Sequence, residues 1–400
     1  MPNKQLQELD EKQLQLLAEE SELKAEHEDT GPTDDKHPWD PEKIRITTKH
    51  FSLREVVDQI NDGDIDLSPD FQRDYVWTNK QRTKLVESIL LGIPLPAFYF
   101  NQEPDGSYQI VDGVQRLSTI ASFMSCEHSL KASQLEYLKD FDGLKYSGLG
   151  SLEARRFRST QIVVHVIEPT TPAGIKYDIF SRVNTLGSPL KAQEIRHAMS
   201  TSRSRDFLSS LVESDVFDNA TDFNFWKKTE VGEYIRNSGR MTDRELALRF
   251  SAFKISSLDE YKQFSSLDRF LVNFTTRLDG KVESRPINNK DLEDLSKSFK
   301  SAMVGAHEVL GNSAFRRIER SKTRRGPINR AIFESQSIAL SQYSLEQLRS
   351  KSEEVRSALL GLFQNDDYTK SVTVGTGAPN SVKTRLEMPQ ELLRKIFNDQ

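Results

Sequence analysis

A single cysteine, Cys126, stands in a chain of 400 residues, which excludes an internal disulfide framework and a cysteine-rich zinc site and fits a reducing compartment. Long apolar runs are equally scarce, and none approaches the roughly 18 residues a membrane span needs. The N-terminal stretch MPNKQLQELDEKQLQLL contains no apolar core of the kind a secretory signal requires. The expectation is a cytoplasmic protein with no membrane partner. Charge of one sign is not in excess either. Residues 1–43 hold 13 acidic and 5 basic side chains, so most of the net charge of −5 sits in this arm and the rest of the chain is slightly positive. Such a body does not attract nucleic acid through its overall field, and any such contact must come from a local patch. The chain also lacks a GxSxG nucleophile elbow, a Walker loop and a His-Glu-x-x-His zinc pattern.

What is present organises into three parts. Residues 1–43 read as an acidic N-terminal arm: a short exposed helix within residues 1–26, carrying Leu6, Leu9, Leu14, Leu16 and Leu17, then the Pro/Gly-containing linker HEDTGPTDDKHPWDPEK. The arm is either a disordered extension or a partner-binding helix. Residues 44–200 show strand and helix signals in alternation. Strands are predicted at Arg45–Thr48, Ala97–Phe100, Ser107–Val111 and Gln161–Ile167. Ser52 is placed to cap a helix Leu53–Asn61, Thr78 and Gln81 form a capping box, and Gly92 is placed to stop the helix that follows. A further helix is expected over Val114–Met124, and Pro172 opens another whose Ile175, Ile179 and Val183 share a face. Residues 201–400 are read as helical, with helices at Asp243–Lys254, Leu267–Leu278, Lys290–Leu310, Asn329–Gln342, Leu345–Phe363 and Pro389–Phe397. Only Tyr368–Thr376 looks like an extended glycine loop. The fold class is therefore α+β: a small α/β domain followed by a mostly α-helical one.

The most informative pattern is a strand, then Asp112-Gly113-Val114-Gln115-Arg116, then a helix. A helix that opens directly from a strand points unsatisfied backbone N–H groups and a partial positive charge into the crevice beside it. Gly113 allows close approach of a ligand to the backbone, and Arg116 brings a planar fork suited to phosphate oxygens. Asp112 is suited to holding Mg²⁺ or orienting a water, and Gln115 to positioning that water or a phosphate oxygen. Alone, Asp-Gly is also a common turn, and an arginine early in a helix is commonly solvated.

Upstream stands Phe71-Gln-Arg-Asp-Tyr-Val-Trp77, and the pair of motifs resembles the GmrSD N-terminal domain family, whose hallmark is Asp-Gly-Gln-Gln-Arg. The segments Ser88–Pro96, Phe180–Asn184, Leu190–Arg196, Arg240–Leu246 and Arg249-Phe250 extend the likeness. The resemblance implies a ParB/sulfiredoxin-like fold over 44–200 that binds a nucleoside triphosphate (GTP, CTP or ATP) with Mg²⁺ and hydrolyses it, in bacterial anti-phage defence or DNA restriction. The nucleotide site it implies comprises Gln72, Arg73, Tyr75, Asp112, Gly113, Gln115 and Arg116, with Asn184 and Glu194 added from the second motif group. Asp112, Gln115 and Arg116 are the catalytic candidates, and Asp112 the metal ligand. The residues leave the oligomeric state open between a monomer and a homo-oligomer, although ParB-like folds resemble self-associating switches.

Two departures bear on this reading. Val114 replaces the first glutamine of the hallmark, a side chain suited to packing under the turn. Family members that cut DNA by themselves carry a C-terminal His-containing nuclease domain, whereas here only His307 lies beyond His197. The expectation is a stand-alone domain that works with a separately encoded nuclease. Sulfiredoxin chemistry is not expected, because Gln115 occupies the loop and Cys126 lies further along the helix. The basic run Arg316, Arg317, Arg320, Lys322, Arg324 and Arg325 is the candidate DNA contact, against the plainer reading of a solvated helix end. Trp77 and His165 are read as core residues. The alternative to an NTPase is a non-hydrolysing nucleotide sensor, or a DNA-binding adaptor that recruits a nuclease.

Overall fold

The computed structural model describes residues 28–29, 40–67, 77–183, 190–229, 232–282, 285–317 and 326–398. The chain divides into two units, residues 38–199 and residues 200–400, the second also taking in the N-terminal segment to which Glu28 and Asp29 belong. Among the described residues, no helix is long and apolar enough to cross a membrane.

The first unit is built on a five-stranded sheet. In chain order its elements are β1 (Ile46–Ser52), α1 (Leu53–Asp62), β2 (Ile65–Asp66), α2 (Asn79–Leu90), β3 (Phe98–Gln102), β4 (Tyr108–Asp112), α3 (Val114–Met124), α4 (Ser151–Ser159), β5 (Gln161–Ile167), α5 (Ala173–Val183) and α6 (Ala192–Ala198). The strand order is β1-β5-β3-β4-β2. The β1–β5 and β3–β4 pairs are antiparallel, and β3–β5 and β2–β4 are parallel. Helix starts follow the sequence signals. Ser52 accepts from Glu55 N, and the Thr78–Gln81 capping box is complete. Alternate strand residues (Phe98, Phe100, Ile110, Ile162, Val164, Val166) share one core with Leu53, Val56, Val86, Ile89, Leu117, Ile120, Phe123 and Phe157 of α1–α4. That period of two fixes which face of the sheet the four helices cover.

The second unit is helical: α7 (Ser202–Val212), α8 (Asp215–Ala220), α9 (Thr242–Ile255), α10 (Leu258–Tyr261), α11 (Leu267–Leu278), α12 (Asn289–Leu310), α13 (Arg330–Leu340), α14 (Leu345–Ser350), α15 (Ser352–Gly361), α16 (Asp366–Ser371) and α17 (Pro379–Asn398). A small hairpin of β6 (Trp226–Lys228) and β7 (Tyr234–Arg236), absent from the sequence expectation, lies between α8 and α9. Two phenylalanine stacks, Phe217 on Phe225 and Phe217 on Phe299, join α8 and the start of the hairpin to α12.

Three further expectations for this unit are corrected. The Tyr368–Thr376 segment is not an extended loop: α16 begins before it, capped by Asn365, whose side chain accepts from Tyr368 N. The helix expected over Leu345–Phe363 breaks at Lys351, where the backbone leaves the helical region. Pro389 does not open the last helix but lies inside α17. A proline there deprives the carbonyl four residues earlier of its partner. That carbonyl belongs to Arg385, and Ser335 Oγ donates to it at 2.7 Å, which is how the helix tolerates the proline.

Candidate functional site at the β4–α3 turn

The register of the sheet determines what surrounds Asp112. Tyr99 of β3 lies opposite Asp112, His165 of β5 opposite Tyr99, and Thr48 of β1 opposite His165. A polar row therefore crosses four strands and ends at the Asp-Gly turn. His165 Nδ1 pairs with Thr48 Oγ1 at 3.0 Å, and its ring lies 4.9 Å from that of Tyr99. Sequence reasoning took His165 alone as a core residue. In the sheet it is half-buried and belongs to this row, which only the strand pairing could reveal.

Immediately after β4, Gly113 takes φ +105° and acts as the N-cap of α3. A Cβ built there would run into the Phe98 ring. Both the left-handed backbone and the ring beneath it call for glycine. Among the described residues no side chain caps α3, so its first turn presents backbone N–H groups at the end of the sheet. Val114, the departure from the family hallmark, is 3% exposed and packs into the core under the turn.

Arg116 is held from three sides. Its guanidinium donates to the carbonyls of Pro96 and Ala97 and to Asp112 Oδ2 at 2.8 Å, and it lies 4.1 Å over the Phe98 ring. Its side chain is 12% exposed, against 37% for Asp112. Burial pulls the Arg116 guanidinium below its ordinary pKa, and the neighbouring Asp112 carboxylate counters part of that pull. The arginine thus fastens the helix start to the segment entering β3, while the carboxylate keeps an open side.

Gln115 ties this turn to the upstream motif, since its Oε1 accepts from Trp77 N at 3.2 Å. Trp77 itself packs against the sheet core. Gln72, Arg73 and Tyr75 of that motif, and Asn184 of the second motif group, lie outside the described residues. Glu194 is buried, and its Oε2 accepts from Lys191 N at 2.6 Å, so it closes the first turn of α6. Asp112, Gly113, Gln115 and Arg116 are therefore brought together in one turn. Cys126 lies past the opposite end of α3.

One member of the basic run needs correction. Arg316 is 2% exposed, and its guanidinium donates to the carbonyls of Gly326, Ala314 and Thr221. A guanidinium committed inward in this way orders the polypeptide and is not offered to a phosphate backbone. Arg317 is half-buried, while Arg320, Lys322, Arg324 and Arg325 lie outside the described residues.

As a class, the first unit is a mixed-sheet domain with a glycine-capped, strand-to-helix turn carrying an aspartate, a glutamine and an arginine. Residues 53–200 match the family model described as GmrSD restriction endonuclease, N-terminal domain. That likeness points to a restriction or defence-related role. No curated protein matches the chain.

Proposed function

We propose that the β4–α3 turn binds the phosphates of a nucleoside triphosphate together with Mg²⁺, and that hydrolysis there serves a restriction or defence role. The observation that carries this reading is the helix start itself. Gly113 caps α3 through its backbone alone, and beside it stand a half-exposed carboxylate and a partly buried guanidinium. Backbone N–H groups aimed from a helix N-terminus, with an arginine alongside, are a favourable environment for phosphate oxygens.

The residues also fit the metal. Among the described residues no group of three or more His, Cys, Asp or Glu side chains is arranged to hold an ion. Mg²⁺ does not need such a cage, since it is commonly bound by one or two carboxylates with the remaining positions taken by phosphate and water. Asp112 is the carboxylate at hand. The ion would neutralise charge on the transferring phosphoryl group. Arg116 keeps donors beyond the three bonds it makes, and its latch to Pro96 and Ala97 fixes where they point. Gln115, with its side-chain oxygen engaged by Trp77, relates the turn to the upstream Phe-Gln-Arg motif.

Phosphate release from ATP, GTP, CTP and UTP with Mg²⁺ tests the reading. Asp112→Asn and Arg116→Lys are the informative variants, because Arg116→Ala also removes the latch on β3. Turnover by the wild type and its loss in Asp112→Asn, with the fold intact, is the expected result. No binding of any of the four nucleotides would overturn the proposal. The Asp112–Arg116 ion pair, which engages the carboxylate before a ligand arrives, favours a second reading: a sensor that binds nucleotide without hydrolysing it. Tight binding with no phosphate release would select that one.

A further inference from the structure

The helical unit buries an arginine–glutamate cluster outside the nucleotide turn. Arg249 of α9 donates through Nε and Nη2 to Glu245 Oε1 at 3.0 and 2.7 Å, and through Nη1 to Glu334 Oε1 of α13 at 2.9 Å. Arg385 of α17 donates through Nε to Glu334 Oε2 at 2.7 Å, and Arg330 through Nε to Glu245 Oε2 at 3.1 Å. These five side chains hold three positive charges and two negative ones. A buried group with an uncompensated positive charge is costly, and it is most readily relieved by an anion.

The anion is Glu28, 221 positions before Arg249 in the chain. Its two oxygens accept from Arg249 Nη1 and Nη2 at 3.0 and 2.6 Å, the parallel fork that arginine makes with carboxylates. With those two bonds each N–H of the Arg249 guanidinium has an acceptor. Thr376 adds its hydroxyl to Glu28 Oε1 at 2.6 Å and its backbone N–H to the carbonyl of Asp29 at 2.9 Å. Thr376 is held in turn by Arg385, which donates to its carbonyl. The donors that meet the Glu28 carboxylate and the Asp29 carbonyl, Arg249 and Thr376, are thus held by Glu245, Glu334 and Arg385 of the helical unit.

We propose that this slot is a recognition site for the carboxylate of an acidic peptide, and that the chain fills it in cis with its own Glu28-Asp29 segment. One side-chain carboxylate in an arginine fork plus one backbone carbonyl on a threonine N–H is how an extended peptide is read. The fork supplies charge specificity, and the backbone bond fixes register. The surrounding sequence, Glu26-His-Glu-Asp-Thr30, is acidic as such a ligand must be. Because the donors are held before the segment arrives, docking requires little reorganisation of the slot.

A labelled synthetic peptide spanning residues 24–33 and the full-length chain provide the test. The peptide is expected to bind the Glu28→Ala chain at least about tenfold more tightly than it binds wild type, whose slot is filled. It should also bind that variant about tenfold more tightly than the peptide carrying Glu28→Gln does, since the fork needs a charged oxygen pair. Equal binding of the two peptides, or no binding to a folded Glu28→Ala chain, overturns the proposal. Should Glu28→Ala fail to fold, hydrogen exchange in the isosteric Glu28→Gln chain decides the matter. The Thr376 amide should exchange about tenfold faster than in wild type while the amides of mid-α13 keep their protection. An unchanged Thr376 amide means that the carboxylate does not hold the segment, and the proposal falls.

Discussion

The two arginine sites show opposite uses of the same side chain. At the β4–α3 turn, Arg116 pairs with one half-exposed carboxylate and spends its other bonds on two carbonyls. In the helical unit, Arg249 has its whole guanidinium surrounded by Glu28, Glu245 and Glu334. The first arrangement leaves a carboxylate facing water and donors in reserve, the condition for receiving a ligand. The second leaves nothing in reserve once Glu28 has docked. Near an exposed surface an ion pair contributes little and can be disturbed cheaply; in the interior, breaking one leaves charges that water cannot reach.

The sharpest way to break this contrast is Arg249→Met. It leaves Glu28 without its arginine while Glu245 and Glu334 keep Arg330 and Arg385, so one buried negative charge is uncompensated. It should destabilise the helical unit by about 3–5 kcal/mol, read by urea or thermal unfolding. A loss below about 1 kcal/mol would mean that water already relieves the cluster. Next in size is Gly113→Ala, expected to cost on the order of 2–4 kcal/mol through its positive φ and the collision with Phe98. Gly63→Ala is the matched control, since Gly63 also has a positive φ but open space around its Cβ position, so about 1 kcal/mol is expected there. Equal losses at the two glycines would remove the Phe98 ring from the account of the turn.

A pH measurement sharpens the comparison from another side. Asp243 is fully buried at the start of α9 beside Arg244, with Arg236 and Glu213 also acting on it. Burial pushes its carboxyl up from 3.8 to about 6. A folded value above the unfolded one means that its contribution to stability is fully present below about pH 4 and is lost as pH rises through about 6. Asp243→Asn should remove that part of the slope of melting temperature against pH between 4 and 6 and leave the neutral-pH fold in place. An identical slope in the variant would assign it to other groups. The smallest stability effect is expected at Asp112→Asn, below about 1 kcal/mol because the pair is half-exposed. Its consequence should instead appear in phosphate release.

The same contrast explains what could be read from the sequence. The β4–α3 turn is written locally: an apolar strand, Asp-Gly, then a helical period, all within about twenty residues. The capping signals at Ser52 and Thr78 are equally local, and both operate as the sequence implied. The row Thr48–His165–Tyr99–Asp112 was not legible, because strand order joins residues far apart in the chain. Nor was the Glu28 slot, since Glu28, Arg249, Glu334 and Arg385 each resemble ordinary solvated charges until the helices bring them together. Tyr368–Thr376 misled for a related reason. Its threonines, valines and glycine suggest extended chain, but Asn365 starts a short helix and Thr376 is drawn into the Glu28 slot. Tertiary context decided each of these cases against local preference.

The bond between Gln115 and the Trp77 backbone also has an optical consequence. An indole packed beside the Asp112-Gly113 turn changes its emission when its surroundings are rearranged. The other two tryptophans, Trp39 and Trp226, lie at other points in the chain. Subtracting the spectrum of a Trp77→Phe variant therefore isolates one intrinsic fluorophore attached to the turn. Nucleotide titrations can then be followed in unlabelled protein, under the conditions in which phosphate release is measured.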